Sequence, residues 1–282
     1  MTAATMRLIR GRSIIEIVAV TILLAAVIAA LFGPYLTPYN TAFMNLRGRL
    51  LPPGAEGAHG VHWLGTDALG RDILSLVILG SRPALQVSLF SVGLAAAFGT
   101  FCGTWAGLAG GRIASSLILL TNVQLSFPFF LIAVAIIGMV APSSALVIGV
   151  IAVGLWVPFA RISYNSAREL VQLDFIDAVR VMRGSYFRIV VRHLIPNVLP
   201  NVIIVATFAL ANAIIAEAAL SFLGLGMPTF SPTWGRMLSE GRDYAATSWW
   251  LTVFPGLAVF LLVLAINIIG EQLRTSLDPR SN

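Results

Sequence analysis

The chain has 282 residues, of which 58% are hydrophobic and only 11% charged, with a formal net charge of +6. Soluble domains carry roughly 25% charged residues, so lipid rather than water is the solvent for most of this sequence. All 18 basic residues are arginines, and the lack of lysine excludes a Walker A phosphate-binding lysine, a Schiff base and a kinase-type β3 lysine.

Cys102, the only cysteine, falls in an apolar run, which excludes an intrachain disulfide and a cysteine-based metal site. His59, His62 and His193 are too dispersed for a histidine metal site. The arginines are distributed among short loops between apolar runs, which is a topological pattern and not a nucleic-acid footprint.

A spanning helix needs about 20 mostly apolar residues. Six stretches qualify, at 14–32, 84–109, 113–139, 144–160, 195–220 and 249–269. Arg7, Arg10 and Arg12 precede the first, but its apolar run is too long for a signal peptide and no small-residue cleavage site clearly follows, so it reads as an uncleaved anchor. The expected organisation is an N-terminal segment with the first helix at 1–35, an extracytoplasmic loop at 36–83 and a five-helix core at 84–282. With the N-terminus inside, twelve arginines lie on the cytoplasmic side and six outside, which obeys the positive-inside rule and puts the C-terminus inside as well.

Along the chain, the first outer loop ends in HWLGTDALGRD, 62–72, where Thr66 or Asp67 and then Asp72 suit N-caps of a short helix lying on the outer surface before Pro83. In the second span Ala95, Gly99, Gly103 and Gly107 recur every four residues, a smooth groove for a close helix neighbour in this chain or in a second one. Pro128, Pro158, Pro196, Pro200 and Pro255 interrupt later spans, as hinges or as static kinks. Intramembrane carboxylates are few. Glu16 lies near the start of the first span and Glu217 near the outer end of the fifth, facing a translocation pathway or bonding a neighbouring helix. Trp234, Trp249 and Trp250 fit an outer interfacial belt.

The inner loop, 161–194, reads as helix, break, helix. Leu170, Leu173, Ile176, Val179 and Met182 keep helical spacing, Gly184 and Ser185 interrupt it, and Phe187, Val190, Val191 and Leu194 resume it. Two readings of this amphipathic segment stand side by side: a docking surface for another protein, or packing on the membrane surface.

The segment DAVRVMRGSYFRIVVRHLIPN, 177–197, resembles the EAA loop of permease subunits in binding-protein-dependent ABC importers. Asp177 stands for the family's glutamate, Ala178 and Val179 for its two alanines, and Ile195 with Pro196 for the closing Leu-Pro; Arg183 occupies the glycine position and Gly184 comes one residue late. HWLGTDALGRD, then EAALSFLGLGMP at 217–228 with Pro232, Trp234, Gly235 and Met237, and NIIGEQLRTSLDPR at 267–280 are similar to signatures of the C-type subunit in the dipeptide/oligopeptide/nickel branch.

The resemblance implies an all-α permease of the type I importer fold, with six transmembrane helices, both termini cytoplasmic, in the bacterial inner membrane. It implies no catalytic site and no cofactor in this chain, because ATP and Mg are bound by partner ATPases. It also implies a homologous second permease, two ABC ATPase subunits and an extracytoplasmic solute-binding protein as partners. Asp174, Asp177, Ala178, Val179, Arg180, Arg183 and Gly184, with Pro196, would then form the loop that couples to the ATPase, and Thr66, Asp67, Gly70, Arg71 and Asp72 a receptor-facing surface. Two other classes make different demands. An ion-coupled secondary transporter needs mid-membrane acids and repeated halves, and a membrane enzyme needs a clustered nucleophile or metal site; the sequence displays neither pattern. No side chain selects among peptides, nickel chelates and related solutes.

Overall fold

Backbone N–H and C=O groups find no water inside a bilayer, so apolar runs close their hydrogen bonds within helices. The structure is a computed structural model that describes residues 14–41, 44–57, 60–140, 143–182, 185–227 and 232–277. In it α1 (Ile14–Leu36), α2 (Ile73–Ala109), α5 (Ser144–Leu170), α8 (Ile195–Phe222) and α10 (Trp250–Leu277) are long and apolar enough to cross a membrane. A sixth passage is made by α3 (Gly111–Leu125) with α4 (Phe129–Met139), bent by 82°. Short helices α6 (Asp174–Val181), α7 (Tyr186–Ile189) and α9 (Trp234–Gly241) occupy connections, as does a two-stranded antiparallel ribbon of β1 (Ala55–Gly57) and β2 (Gly60–His62). The all-α, six-passage architecture is the one that the apolar stretches predict.

The helices do not stop where their hydrophobicity stops. α2 begins at Ile73 because Asp72 caps it, Oδ2 accepting from the backbone N–H and the hydroxyl of Ser75, each at 2.8 Å. The short surface helix expected before Pro83 is therefore the opening of α2 itself, with Pro83 inside that helix, and the loop expected at 36–83 closes at Asp72. α5 likewise runs on to Leu170, so the connection expected from Arg161 starts at Val171. Arg161, inside α5, reaches across to α3, its Nη2 donating to Asn122 Oδ1 at 2.7 Å.

The third predicted span is not one rod. Proline disfavours helical geometry in the residue before it and supplies no N–H, so α3 ends at Leu125 and the chain turns through Ser126, Phe127 and Pro128. Ser126 closes the end, its backbone N–H donating to Asn122 O at 3.1 Å and its hydroxyl to the same carbonyl at 2.9 Å. Gln124 ties the break to α5, accepting from the Trp156 indole and donating to the Val153 carbonyl.

α2 and α5 form the central seam, and they run parallel. Ser91 Oγ donates to Ile148 O at 3.0 Å, and the contacts then step in register through Gly99 beside Trp156, Gly103 beside Ala160 and Gly107 beside Ala167. Parallel neighbours need a return passage between them, which α3 and α4 supply. A Cβ built on Gly99 would lie 2.5 Å from the Trp156 carbonyl oxygen, and one on Gly107 would lie 2.7 Å from Ala167 Cβ. Ala95 is buried on the same face. The absence of side chains lets the two backbones touch, which in lipid replaces the hydrophobic drive that holds helices together in water.

The remaining spans pack outside this pair. α8 and α10 close one side, their apolar faces meeting α2 in a cluster that includes Ala84, Ala211, Ile214, Leu262 and Ile266. α1 is peripheral, with Gly33 near Ile78 and Leu79 at one end and Glu16 accepting from Gln272 at 2.6 Å at the other. One end of the bundle thus carries the ribbon and α9, and the opposite end carries α6 and α7.

Two substitutions test these supports. Gly103→Leu should destabilise the chain by roughly 1–3 kcal/mol through overpacking, read as a lower thermal midpoint in detergent, while Gly138→Leu, whose position is open, leaves it unchanged. Asp72→Ala removes the α2 cap and the buried partner of His62, and should cost about 2–4 kcal/mol, with faster amide exchange both at residues 73–76 and around His62.

Candidate functional site

The connection after α5 is built from the packing requirement of one buried residue. α6 is amphipathic, and Ile176 on its inner face is 0% exposed, seated among Leu108, Ala167, Ile189, Val190 and Leu194, with Val179 packed beside them. Its outer face is apolar as well. Phe175 is 40% exposed, Val181 84% and the following Met182 82%, with Asp174 and Ala178 exposed next to them. Residues 174, 175, 178, 181 and 182 share one face of a helix by their spacing. A helix pinned by one face and apolar on the other offers that outer face to a protein or to the membrane surface.

The predicted restart also has a physical basis. Ser185 caps α7, its Oγ accepting from the Arg188 N–H at 3.3 Å. A π-helical turn, Val190–Leu194, then leads into α8, with Pro196 in the first turn of α8. Asn201 fixes the start of α8 to α5 through Ser166 Oγ at 3.0 Å. Asp177 and Arg180 lie on α6, but their side chains are outside the described residues, as are Arg183 and Gly184 altogether.

At the opposite end HWLGTDALGRD folds into a knot that satisfies its own polar groups. Thr66 Oγ1 donates to Gly48 O at 2.6 Å and accepts from Leu51 N–H at 2.8 Å. Asp67 Oδ1 accepts from the N–H groups of Leu69 and Arg71 at 2.9 and 2.8 Å, and Asp67 Oδ2 accepts from Arg71 Nε at 2.6 Å. Gly70, at φ +74°, sits against the Asn45 backbone, where any side chain would collide. Arg71 then reaches across to Glu240 Oε2 at 3.1 Å, joining this loop to α9.

Of the residues expected to face a receptor, Thr66, Asp67, Gly70 and Asp72 are buried, and Arg71 is mostly covered, because a tight loop must pair its own backbone groups before it can offer any outward. The exposed side chain of this segment is Trp63, at 68%. Asp67 is likewise no helix cap but the organiser of a turn. His62, which sequence reasoning set aside as isolated, stacks on Tyr39 and pairs through Nδ1 with Asp72 Oδ1 at 2.9 Å. The ten-residue interval between them was the available signal, and it carries no helical or strand period.

Two of the three tryptophans expected in an interfacial belt are interior posts. Trp234 Nε1 donates to Val77 O at 2.9 Å and Trp250 Nε1 to Thr66 O at 3.2 Å, which holds α9 and α10 against α2 and the knot; Trp249 alone is exposed. Glu217 is 1% exposed and accepts from Ser221 Oγ at 2.7 Å on its own helix, its one hydrogen-bond partner among the described residues.

Comparison with known proteins places this arrangement. Residues 99–282 match the family described as binding-protein-dependent transport system inner membrane component. A dipeptide transport system permease protein of Alkalihalophilus pseudofirmus is 37% identical over 94% of this chain and 86% of its own length. A di/tripeptide transport system permease protein of Pseudomonas aeruginosa is 35% identical over 92% and 86%. A glutathione transport system permease protein of Pectobacterium atrosepticum is 34% identical over 95% and 88%. Among solved structures, a chain of the inward-facing MetNI methionine ABC transporter superposes with a TM-score of 0.56 at 20% identity, covering 73% of this chain and 98% of that one, a likeness of fold. With a family match across two-thirds of the sequence and relatives above 30% identity along nearly all of it, the chain belongs to the inner membrane components of binding-protein-dependent transport systems.

Proposed function

We propose that this chain is one permease subunit of an ATP-driven ABC importer for di- or oligopeptides, working with a homologous second permease, two ABC ATPase subunits and an extracytoplasmic solute-binding protein. The observation that carries the reading is α6: Ile176 anchors it to the bundle while Phe175, Val181 and Met182 remain uncovered. In the proposal that face seats in a groove of an ATPase subunit, and the end of the bundle bearing α6 is cytoplasmic. The positive-inside distribution supports this orientation, since Arg112, Arg168, Arg188, Arg192 and Arg274 lie towards that end. ATP-driven closure of the ATPase pair would move α6, and through Ile176 the seam beneath it, as rigid pieces. The named substrates of the relatives support a peptide cargo.

The double variant Phe175→Glu, Met182→Glu alters only exposed side chains, so the chain should insert normally. Copurification of the ATPase subunits should fall about tenfold or more, and uptake should cease with it. Undiminished copurification overturns the docking assignment. For the cargo, labelled dipeptide uptake by cells carrying the whole transporter should be competed by unlabelled di- and tripeptides; competition by nickel chelates alone reassigns the substrate.

A further inference from the structure

The outward side chains of α2 between Leu89 and Phe101, and of α10 between Val253 and Leu264, are all apolar, as contact with lipid requires. α8 differs. Its buried faces present Val202, Ala209, Ala213 and Leu220 to one apolar cluster and Ala211 and Ile214 to another. The stripe left over runs through Asn197, Asn201, Phe208, Asn212 and Ile215, which helical spacing sets in line, and its three asparagines are exposed. Asn197 donates to the His193 carbonyl at 2.6 Å, and Asn201 donates to Ser166 of α5 at 3.0 Å. Asn212 has no hydrogen-bond partner among the described residues. Yet it lies inside the apolar stretch 195–220, ~12 Å from the outer end at ~1.5 Å per residue. A primary amide turned to hydrocarbon at that depth would leave both its donors and its acceptor unmatched.

We infer that this stripe of α8 lines the translocation pathway and that Asn212 hydrogen-bonds the main chain of the peptide in transit. The inference rests on the peptide-import reading above. Lipid tails offer the amide nothing. A helix of the second permease has already closed its own backbone hydrogen bonds, and close helix contact in lipid takes small residues, as along the glycines of α2, whereas Phe208 and Ile215 flank Asn212. An extended peptide instead arrives with unpaired N–H and C=O groups. The asparagine side chain both donates and accepts, so it meets those groups whatever side chains the cargo carries. The polar surface continues past the bond from Asn201 to Ser166 onto α5, where Asn165 is exposed and, among the described residues, also without a hydrogen-bond partner.

The test uses the assembled transporter in lipid nanodiscs, with Cys102→Ser removing the native thiol of this chain. Asn212→Cys should react with a charged, water-soluble methanethiosulfonate reagent, read on this chain by mass spectrometry, and a transported dipeptide should slow the reaction several-fold. Leu257→Cys, on the apolar outward face of α10, should not react. In cells, Asn212→Leu, close in volume but lacking the amide, should lower maximal dipeptide uptake roughly tenfold, the loss expected of one or two hydrogen bonds, with ATPase copurification unchanged. Asn212→Gln, which keeps the amide, should recover most of that rate. Reaction of Asn212→Cys in the isolated chain but not in the assembled transporter gives the stripe to the second permease and overturns the inference. So does a reaction that transported dipeptide leaves unchanged, or full uptake by Asn212→Leu. If the unaltered transporter takes up no peptide while Asn212→Cys still reacts, the peptide-import reading falls, and the peptide contact with it, while the lining of a pathway stands.

Discussion

The close parallel contact of α2 and α5 is the constraint on which the rest of the molecule depends. Two parallel helices cannot be consecutive in a bundle, so the chain must spend a passage returning between them, and the α3–α4 pair is that passage. The seam admits no side chain at Gly99, Gly103 or Gly107, which sets its spacing by backbone contact instead of by interdigitation. Everything outside it is placed relative to this pair: Ala106 and Ala160 receive Leu117 of α3, and Ala167 receives Ile176 of α6.

The two ends of the bundle are stabilised in different ways. The ribbon end is held by polar ties buried from solvent, with His62, Thr66, Asp67 and Asp72 bonded to the surrounding backbone and to each other, and with two indole N–H groups bridging distant segments. Such a network is stiff, because loss of any member leaves a buried polar group unpaired. The α6 end has apolar contacts under a short helix and exposed apolar residues above it. Local opening is easier where few buried contacts hold a short element. The end that opens more easily is therefore the one that bears α6.

The passages were legible because hydrocarbon imposes length and apolarity on each residue run directly. Helix ends were less legible, since hydropathy reports the solvent and not the backbone: α2 begins at its cap, Asp72, well before the apolar stretch at 84. Pro128 was visible, but whether a proline kinks or breaks its helix depends on Gln124 meeting Trp156 and Val153, contacts some thirty residues away. The period of Ala95, Gly99, Gly103 and Gly107 announced a tight neighbour without naming it. Trp234 and Trp250 looked interfacial by type, and only their bonds to carbonyls 157 and 184 residues distant show them to be interior. In the α6 connection the apolar period foretold Ile176 and Val179 facing inward, but Leu173 and Met182, on the same period, are exposed. It did not foretell that Phe175 and Val181, off that period, would form a second apolar face.

The π turn at Val190–Leu194 gives the chain a single helical column from Tyr186 to Phe222, 37 residues long. At ~1.5 Å per residue such a column reaches ~55 Å, more than the thickness of a bilayer with its headgroups. Its lower end is clasped by Ile176 through Ile189 and Val190, and near its upper end Gly235 of α9 rests on Ala218. Both ends of the protein thus lie against one and the same helical column.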